Sequence, residues 1–136
     1  MQGKIIVDSN IWVYLYSTNE IRSLKAKKLI EENFSSILLT SQILGEIYNV
    51  LVKKGFKTKS QAFEIIEELI SSFTVLEVDV LKVLKAIEIN NRYDYSYWDS
   101  LIISSALLGE CETVYSEDMQ DGQIIENTLR LVNPLK

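Results

Sequence analysis

The 136-residue sequence contains no histidine, and this absence closes off a large part of enzyme chemistry. Histidine-dependent triads, imidazole proton relays and histidine-bearing zinc sites are all excluded. Cysteine is nearly absent too. Cys111 stands alone, so neither an internal disulfide nor a thiolate-rich zinc site can form, and the chain suits a reducing compartment. The apolar stretch "LIISSALL" falls far short of the roughly 20 residues that a bilayer span requires. The opening "MQGKIIVDSN" reaches Asp8 before any apolar leader core develops, so no secretory signal is expected. These absences together predict a soluble, cytoplasmic protein with no membrane partner. Positive charge is missing from one region in particular. Between Arg92 and Arg130 there is no Lys or Arg, while Asp94, Asp99, Glu110, Glu112, Glu117, Asp118, Asp121 and Glu126 all occur. The net charge of -5 argues against indiscriminate binding to nucleic acid.

What remains available for polar chemistry is carboxylates, hydroxyls and lysines. Carboxylates without nitrogen or sulfur partners suit hard cations such as Mg2+ or Mn2+. The hydrophobic content of 47% and charged content of 24% are those of an ordinary globular chain, and the length fits a single domain spanning residues 1–136. Eight of the 14 basic residues fall in two short stretches, Arg22 to Lys28 and Lys53 to Lys59, which could contact nucleic-acid phosphates or simply form solvated helix faces.

Short apolar runs alternate with helical patterns. "KIIV", "SILLT", "FTVLEV", "CETVYS" and "LRLVN" read as about five strands. "SQILGEIYNVLVKKG" reads as a helix capped by Ser41 and ended by lysines and Gly55. "TKSQAFEIIEELISS" opens on a Thr58–Gln61 capping box. "DVLKVLKAIEINN" carries Leu81, Leu84 and Ile87 at helical spacing, and "SYWDSLIISSALLGE" is apolar nearly all round, the mark of a buried central helix. The alternation predicts an α/β fold with a mostly parallel sheet flanked by helices.

In such a sheet, strand C-termini and the helix N-termini that follow share one edge, and ligands bind outside it. Asp8 ends the first strand, Glu46 lies in the opening turns of the helix after "SILLT", Asp99 follows the cap Ser96, and Asp118 lies just past "CETVYS". Each has a structural reading: Asp8 as a helix cap, Asp99 in a Ser-x-x-Asp capping box, Asp118 and Asp121 in a solvated turn around Gly122. Glu46 resists such a reading, because Ile43, Ile47 and Val50 surround it in the apolar stripe and an unpaired charge there is costly. Jointly, four acids from four distant segments predict a divalent-metal site. Nearby like charges raise one another's pKa unless a cation resides among them. "NNRYDYSYWD" adds Tyr93, Tyr95, Tyr97 and Trp98, for which core packing is favoured over stacking on bases.

Here the residues resemble the PIN-domain family, and within it the VapC-type ribonuclease toxins of type II toxin–antitoxin systems. "IIVDSNIWVYL", "LTSQILGEIYNVLVKKG", "YSYWDSLIISSAL" and "VYSEDMQDGQIIENTLRLVNPL" resemble the family's four motifs in order, from Lys4 to about Leu135. The resemblance implies Mg2+ or Mn2+ dependence, an RNA substrate, a homodimer and a cognate antitoxin protein. Chemistry and resemblance together assign Asp8, Glu46, Asp99 and Asp118 as metal-binding and catalytic residues. Asn10, Ser116 and Asp121 are candidates for orienting them, with turn and cap hydrogen bonds as the alternative role. A phosphatase with paired strand-end aspartates is disfavoured, because Asn10 stands where the second Asp is needed. A PIN-like module that binds RNA or protein without cutting is the rival reading.

Overall fold

Ile5–Val7 is buried at every position, and the run is too short for a helix, so it forms the first strand, β1. The computed structural model describes residues 3–136. The remaining strands are β2 (Ile37–Thr40), β3 (Thr74–Leu76), β4 (Thr113–Tyr115), β5 (Ile124–Ile125) and β6 (Leu129–Val132). They form one sheet in the order β3-β2-β1-β4-β6-β5. All neighbours are parallel except β5 and β6. Six helices accompany them: α1 (Ser9–Tyr14), α2 (Glu20–Glu32), α3 (Ser41–Lys53), α4 (Lys59–Ser72), α5 (Val80–Arg92) and α6 (Tyr97–Leu108). The expected α/β architecture with a mostly parallel, helix-flanked sheet is therefore present.

Five of the strands coincide with the five apolar runs. The sixth, β5, is only two residues long and pairs antiparallel with β6, so no apolar run announces it. It sits beyond Gly122, and the chain turns back from it into β6 through Glu126 and Asn127, whose φ values of 49° and 65° are left-handed. α2 also lacks a sequence signal, because only Ala26 and Ile30 of its 13 residues are buried and no apolar stripe forms. The capping box at Thr58 and Gln61 is formed as expected, and Gly55 closes α3 with a φ of 73°. One cap moves. Thr40, not Ser41, caps α3 by accepting from the Ile43 amide at 3.0 Å, while Ser41 accepts from the Val78 amide at 3.1 Å and so tethers the segment after β3.

α6 is the buried centre that its composition predicts, with Ser100 to Ala106 buried in an unbroken run. Two of its three buried serines are accommodated by bonds to carbonyls: Ser105 to Leu101 at 2.9 Å, and Ser104 to Lys82 at 2.6 Å, which ties α6 to α5. Trp12 fixes α1 over the sheet by donating its indole N–H to the Val7 carbonyl at 3.0 Å. Cys111 is free and buried, with its thiol pushed up to about 11 by desolvation, and is therefore an inert core residue. Among the described residues no helix is long and apolar enough to cross a membrane.

Candidate active site

The register of the central strands decides where the acids fall. Val7 lies beside Tyr115, and the ladder continues one step further, with the Asp8 amide donating to the Tyr115 carbonyl at 2.9 Å. Ser116 then donates from its amide to the Val132 carbonyl at 2.9 Å. Asp8 and Ser116 thus share the C-terminal edge of the sheet although 108 residues separate them, and the Ser116 hydroxyl donates to Asp8 Oδ2 at 2.7 Å. The same hydroxyl accepts from the Asp118 amide at 3.1 Å, so it also shapes the turn that carries the fourth acid. Asn10, in the first turn of α1, donates its amide to Asp118 Oδ2 at 2.9 Å. Two of the three sequence candidates for an orienting role, Asn10 and Ser116, are therefore in direct contact with the acids. The third, Asp121, faces elsewhere: its Oδ1 accepts from the Asn133 amide at 2.8 Å and its Oδ2 lies 3.9 Å from Lys136. The turn at Gly122 points Asp121 at the C-terminal segment, and none of its hydrogen bonds reaches the four acids.

Asp8 does cap α1, since its Oδ1 accepts from the Ser9 amide at 2.7 Å. It is nonetheless only 4% exposed, and burial pushes its carboxyl up from 3.8 to about 6, opposed by the bonds from Ser116 and Ser9 and assisted by the charges of Glu46 and Asp99. Glu46 is likewise raised, first by burial and then by Asp99, against hydrogen bonds from Gln42 and Ser9. Asp99 is raised by burial and by the charge of Asp118, against a bond from Ser96. Ser96 caps α6 by accepting from the Asp99 amide at 3.1 Å, which fixes the first turn and the carboxylate on it. Asp8, Glu46 and Asp99 thus each feel the charge of another acid of the set.

The acidic stretch late in the sequence is less uncompensated than it looks in one dimension. Glu117 pairs with Arg22 at 2.6 Å, and Glu126 pairs with Lys85 at 2.8 Å and Arg92 at 3.2 Å. Among the described residues no ion pair reaches Asp8, Glu46, Asp99 or Asp118. Folding pairs Glu117 and Glu126 with cations and leaves these four carboxylates without one.

Among the described residues, four buried oxygen atoms lack any hydrogen-bond partner: Asn10 Oδ1, Gln42 Oε1, Glu46 Oε1 and Ser100 Oγ. All four belong to the opening turns of α1, α3 and α6 around the acids. Such orphans are uncommon in folded proteins, and here they are all acceptors, the donor type a hard cation or its water needs. The acids do not already grip one another: among the described residues no three carboxylates stand close enough to hold a metal ion as they are. The residues are nonetheless an oxygen-only set of the chemistry that a divalent cation takes.

Ser9 and Gln42 were not legible as site residues. The Ser9 hydroxyl lies 3.4 Å from Asp8 Oδ1, and it also holds the Glu46 carboxyl down against the effect of burial. Gln42 donates to Glu46 Oε2 at 3.3 Å and to the Trp98 carbonyl at 3.0 Å, joining α3 to the start of α6. The only sequence signal for Gln42 is its spacing, four residues before Glu46 on one helix face. Trp98 itself is 63% exposed, contrary to the expected core packing, because α6 turns its first turn outward and buries only from Ser100 onward.

A family model described as "PIN domain" matches residues 5–120. No curated protein matches the chain significantly. Among solved structures, the toxin VapC20 from Mycobacterium tuberculosis, described as cleaving the sarcin–ricin loop, superposes with a TM-score of 0.70 at 19% identity, covering 82% of this chain and 87% of its own. A toxin–antitoxin complex from Klebsiella pneumoniae gives a TM-score of 0.71 at 16% identity over 96% of this chain and 98% of the other. DNA-bound VapBC from Salmonella typhimurium gives 0.71 at 17% identity over 96% and 97%. The fold, its four-acid edge and the family match over most of its length agree: the chain belongs to the PIN-domain family.

Proposed function

We propose that this chain is a divalent-metal-dependent endoribonuclease acting as the toxin of a toxin–antitoxin pair. The observation that carries the reading is the shared edge of Asp8, Glu46, Asp99 and Asp118, none of them ion-paired, with unpartnered buried oxygens of Glu46 and Asn10 among them. Mg2+ or Mn2+ held by these carboxylates would supply the Lewis acidity that activates water and neutralises charge on the phosphate. The protein's own groups do the positioning. Ser116 and Ser9 hold Asp8, Asn10 holds Asp118, and Gln42 holds Glu46 while leaving its Oε1 without a partner. With no histidine in the chain, that free carboxylate oxygen is the acceptor placed to take a proton from the attacking water. Support for an RNA substrate and a protein partner comes from the resemblance, from the RNA-cleaving neighbour and from the toxin–antitoxin neighbours.

The test is cleavage of a mixed RNA by purified protein with Mn2+ or Mg2+, with and without a chelator. Metal-dependent cleavage is expected, and Asp99→Asn or Asp8→Asn should lower it by more than about 100-fold, since even groups that merely orient metal ligands are worth about 10–100-fold. Cleavage that persists in chelator from nuclease-free protein rules out the mechanism. A folded, metal-loaded protein that cuts no RNA leaves the binding-module reading. For the partner, we expect an antitoxin that inserts an Arg beside the four acids, where its planar fork can engage two carboxylate oxygens. Replacing that Arg with Ala should restore cleavage while much of the binding survives; a complex that stays inactive and metal-loaded would mean that RNA access is blocked instead.

A further inference from the structure

A cavity of about 360 Å3 adjoins the acid edge, shares Ser9, Asn10 and Asp118 with it, and extends well beyond the carboxylates. Its inner end is Asn10 and Asp118, and it runs along α1 to Tyr14 and across to Val50, Lys54 and Phe56 at the end of α3. The volume lies within the roughly 300–1,000 Å3 range of small-molecule sites. The distance along α1 from Ser9 to Tyr14 is roughly 8 Å at 1.5 Å per residue, about the reach of one nucleotide.

The lining residues have the chemistry of a base-stacking platform with a backbone contact. Tyr14 is held rigidly: its hydroxyl donates to Glu117 Oε1 at 2.5 Å and accepts from Arg22 at 3.1 Å, and the Arg22 guanidinium lies 5.2 Å from the ring centroid. Phe56 is half-buried, and no ring contact joins it to Tyr14 among the described residues, so neither aromatic blocks the other. Lys54 is exposed and has no ion pair among the described residues, unlike Lys27, Lys28, Lys82 and Lys85. An aromatic-lined cavity with a free cation at its rim, joined to a site that hydrolyses phosphodiesters, matches how single-stranded nucleic acid is held.

We infer that this cavity receives one unpaired nucleobase of the RNA, next to the phosphate at the acid edge, with Lys54 on the neighbouring phosphate. The inference rests on the nuclease reading above and deepens it. The protein cuts single-stranded RNA with a base requirement at one fixed position beside the cut, and that requirement is set by Tyr14, Val50 and Phe56 rather than by the carboxylates.

Two measurements on the intact protein separate this inference from the nuclease reading. In the first, fluorescein-labelled single-stranded RNA octamers, each with one abasic residue at a different position, are titrated onto Asp99→Asn protein in Mg2+ and followed by anisotropy. One position alone should weaken binding, by about 5- to 140-fold, the range for loss of a single stacked base. Phe56→Leu, which keeps an apolar group in the half-buried position and so preserves the fold, should erase that position dependence. Lys54→Ala should lower the slope of log affinity against log salt by about 0.7. In the second, cut sites of wild-type and Phe56→Leu protein are mapped on a randomised RNA pool. The wild type should show a base preference at one flanking position, and the cuts that the variant still makes should lack it. Equal affinity for every abasic octamer, or an unchanged cut-site preference in Phe56→Leu, overturns the inference while cleavage itself stands, and assigns the cavity to a side chain of a partner protein.

Discussion

Asp8 concentrates the conflict between folding and chemistry. A helix cap need not be buried, but Ile11, Trp12 and Val13 draw α1 onto the sheet and carry the cap inside with it. The raised carboxyl therefore binds more protons in the folded chain than in the unfolded one across roughly pH 4 to 6. Stability must fall as pH rises through that window, and above about 6 the full penalty is present. The displacement from 3.8 to about 6 corresponds to about 3 kcal/mol at 1.36 kcal/mol per pH unit. We expect the metal-free protein to melt at a higher temperature near pH 5 than near pH 7.5 relative to Asp8→Asn, which has no such proton to lose. The variant should be folded and as stable as the parent or more so at pH 7.5, and Mn2+ should raise the melting temperature of the parent far more than that of Asp8→Asn. Parallel pH profiles for the two proteins would show that Asp8 carries no burial penalty.

Among the elements, the start of α6 does the most. Ser96 caps it, Gln42 reaches its Trp98 carbonyl from α3, and Asp99 rides on its first turn. Loss of an N-cap hydroxyl costs about 1 kcal/mol, so Ser96→Ala should lower the melting temperature by several degrees. It should also reduce cleavage beyond that, because Asp99 loses the bond that sets its orientation; Ser96→Asp, which can still cap, should restore stability but not activity, since it adds a charge beside Asp99. An activity loss no greater than the stability loss predicts would reduce Ser96 to a plain cap. This element also marks where sequence reading succeeds and stops. The uninterrupted apolar run revealed α6, and Asp8, Glu46, Asp99 and Asp118 could be assigned to one edge because parallel strands leave no other arrangement. α2 and β5 were invisible, the first because Ile21 and Leu24 are exposed and its apolar residues form no buried stripe, the second because a two-residue antiparallel strand has no period. Ser9 and Gln42 were invisible for another reason: their roles consist of bonds between elements, and nothing in local spacing encodes those.

At the scale of the whole molecule, α5 leaves an apolar stripe in water. Val80 is 73% exposed, Leu81 68% and Leu84 60%, on a helix otherwise anchored against α6 by Ala86 and Ile89. A contiguous patch of this kind is a common mark of an association surface, and it gives the expected homodimer a place. Sedimentation equilibrium at micromolar concentration should find a dimer, and Leu84→Glu should convert it to a monomer without unfolding it. A wild-type monomer would leave the stripe to a different protein. The surface pairs on α2, Lys27–Glu31 and Lys28–Glu32, both at 3.9 Å and well exposed, should contribute almost nothing to stability.

The bonds that tie Asp8 to Ser116 and Asn10 to Asp118 each span 108 residues. During synthesis, therefore, the first three acids or fewer can be in place while the strand that completes the edge is still unmade. β1 can pair with β2 early, but its other flank stays open until Thr113–Tyr115 has emerged. Closing so long a loop is entropically expensive and slow, and a nascent chain or a truncated product lacks the hydroxyl and the amide that hold the first and last acids. Whatever this edge does to its substrate, it cannot do before Ser116 and Asp118 have left the exit tunnel and closed onto Asp8 and Asn10.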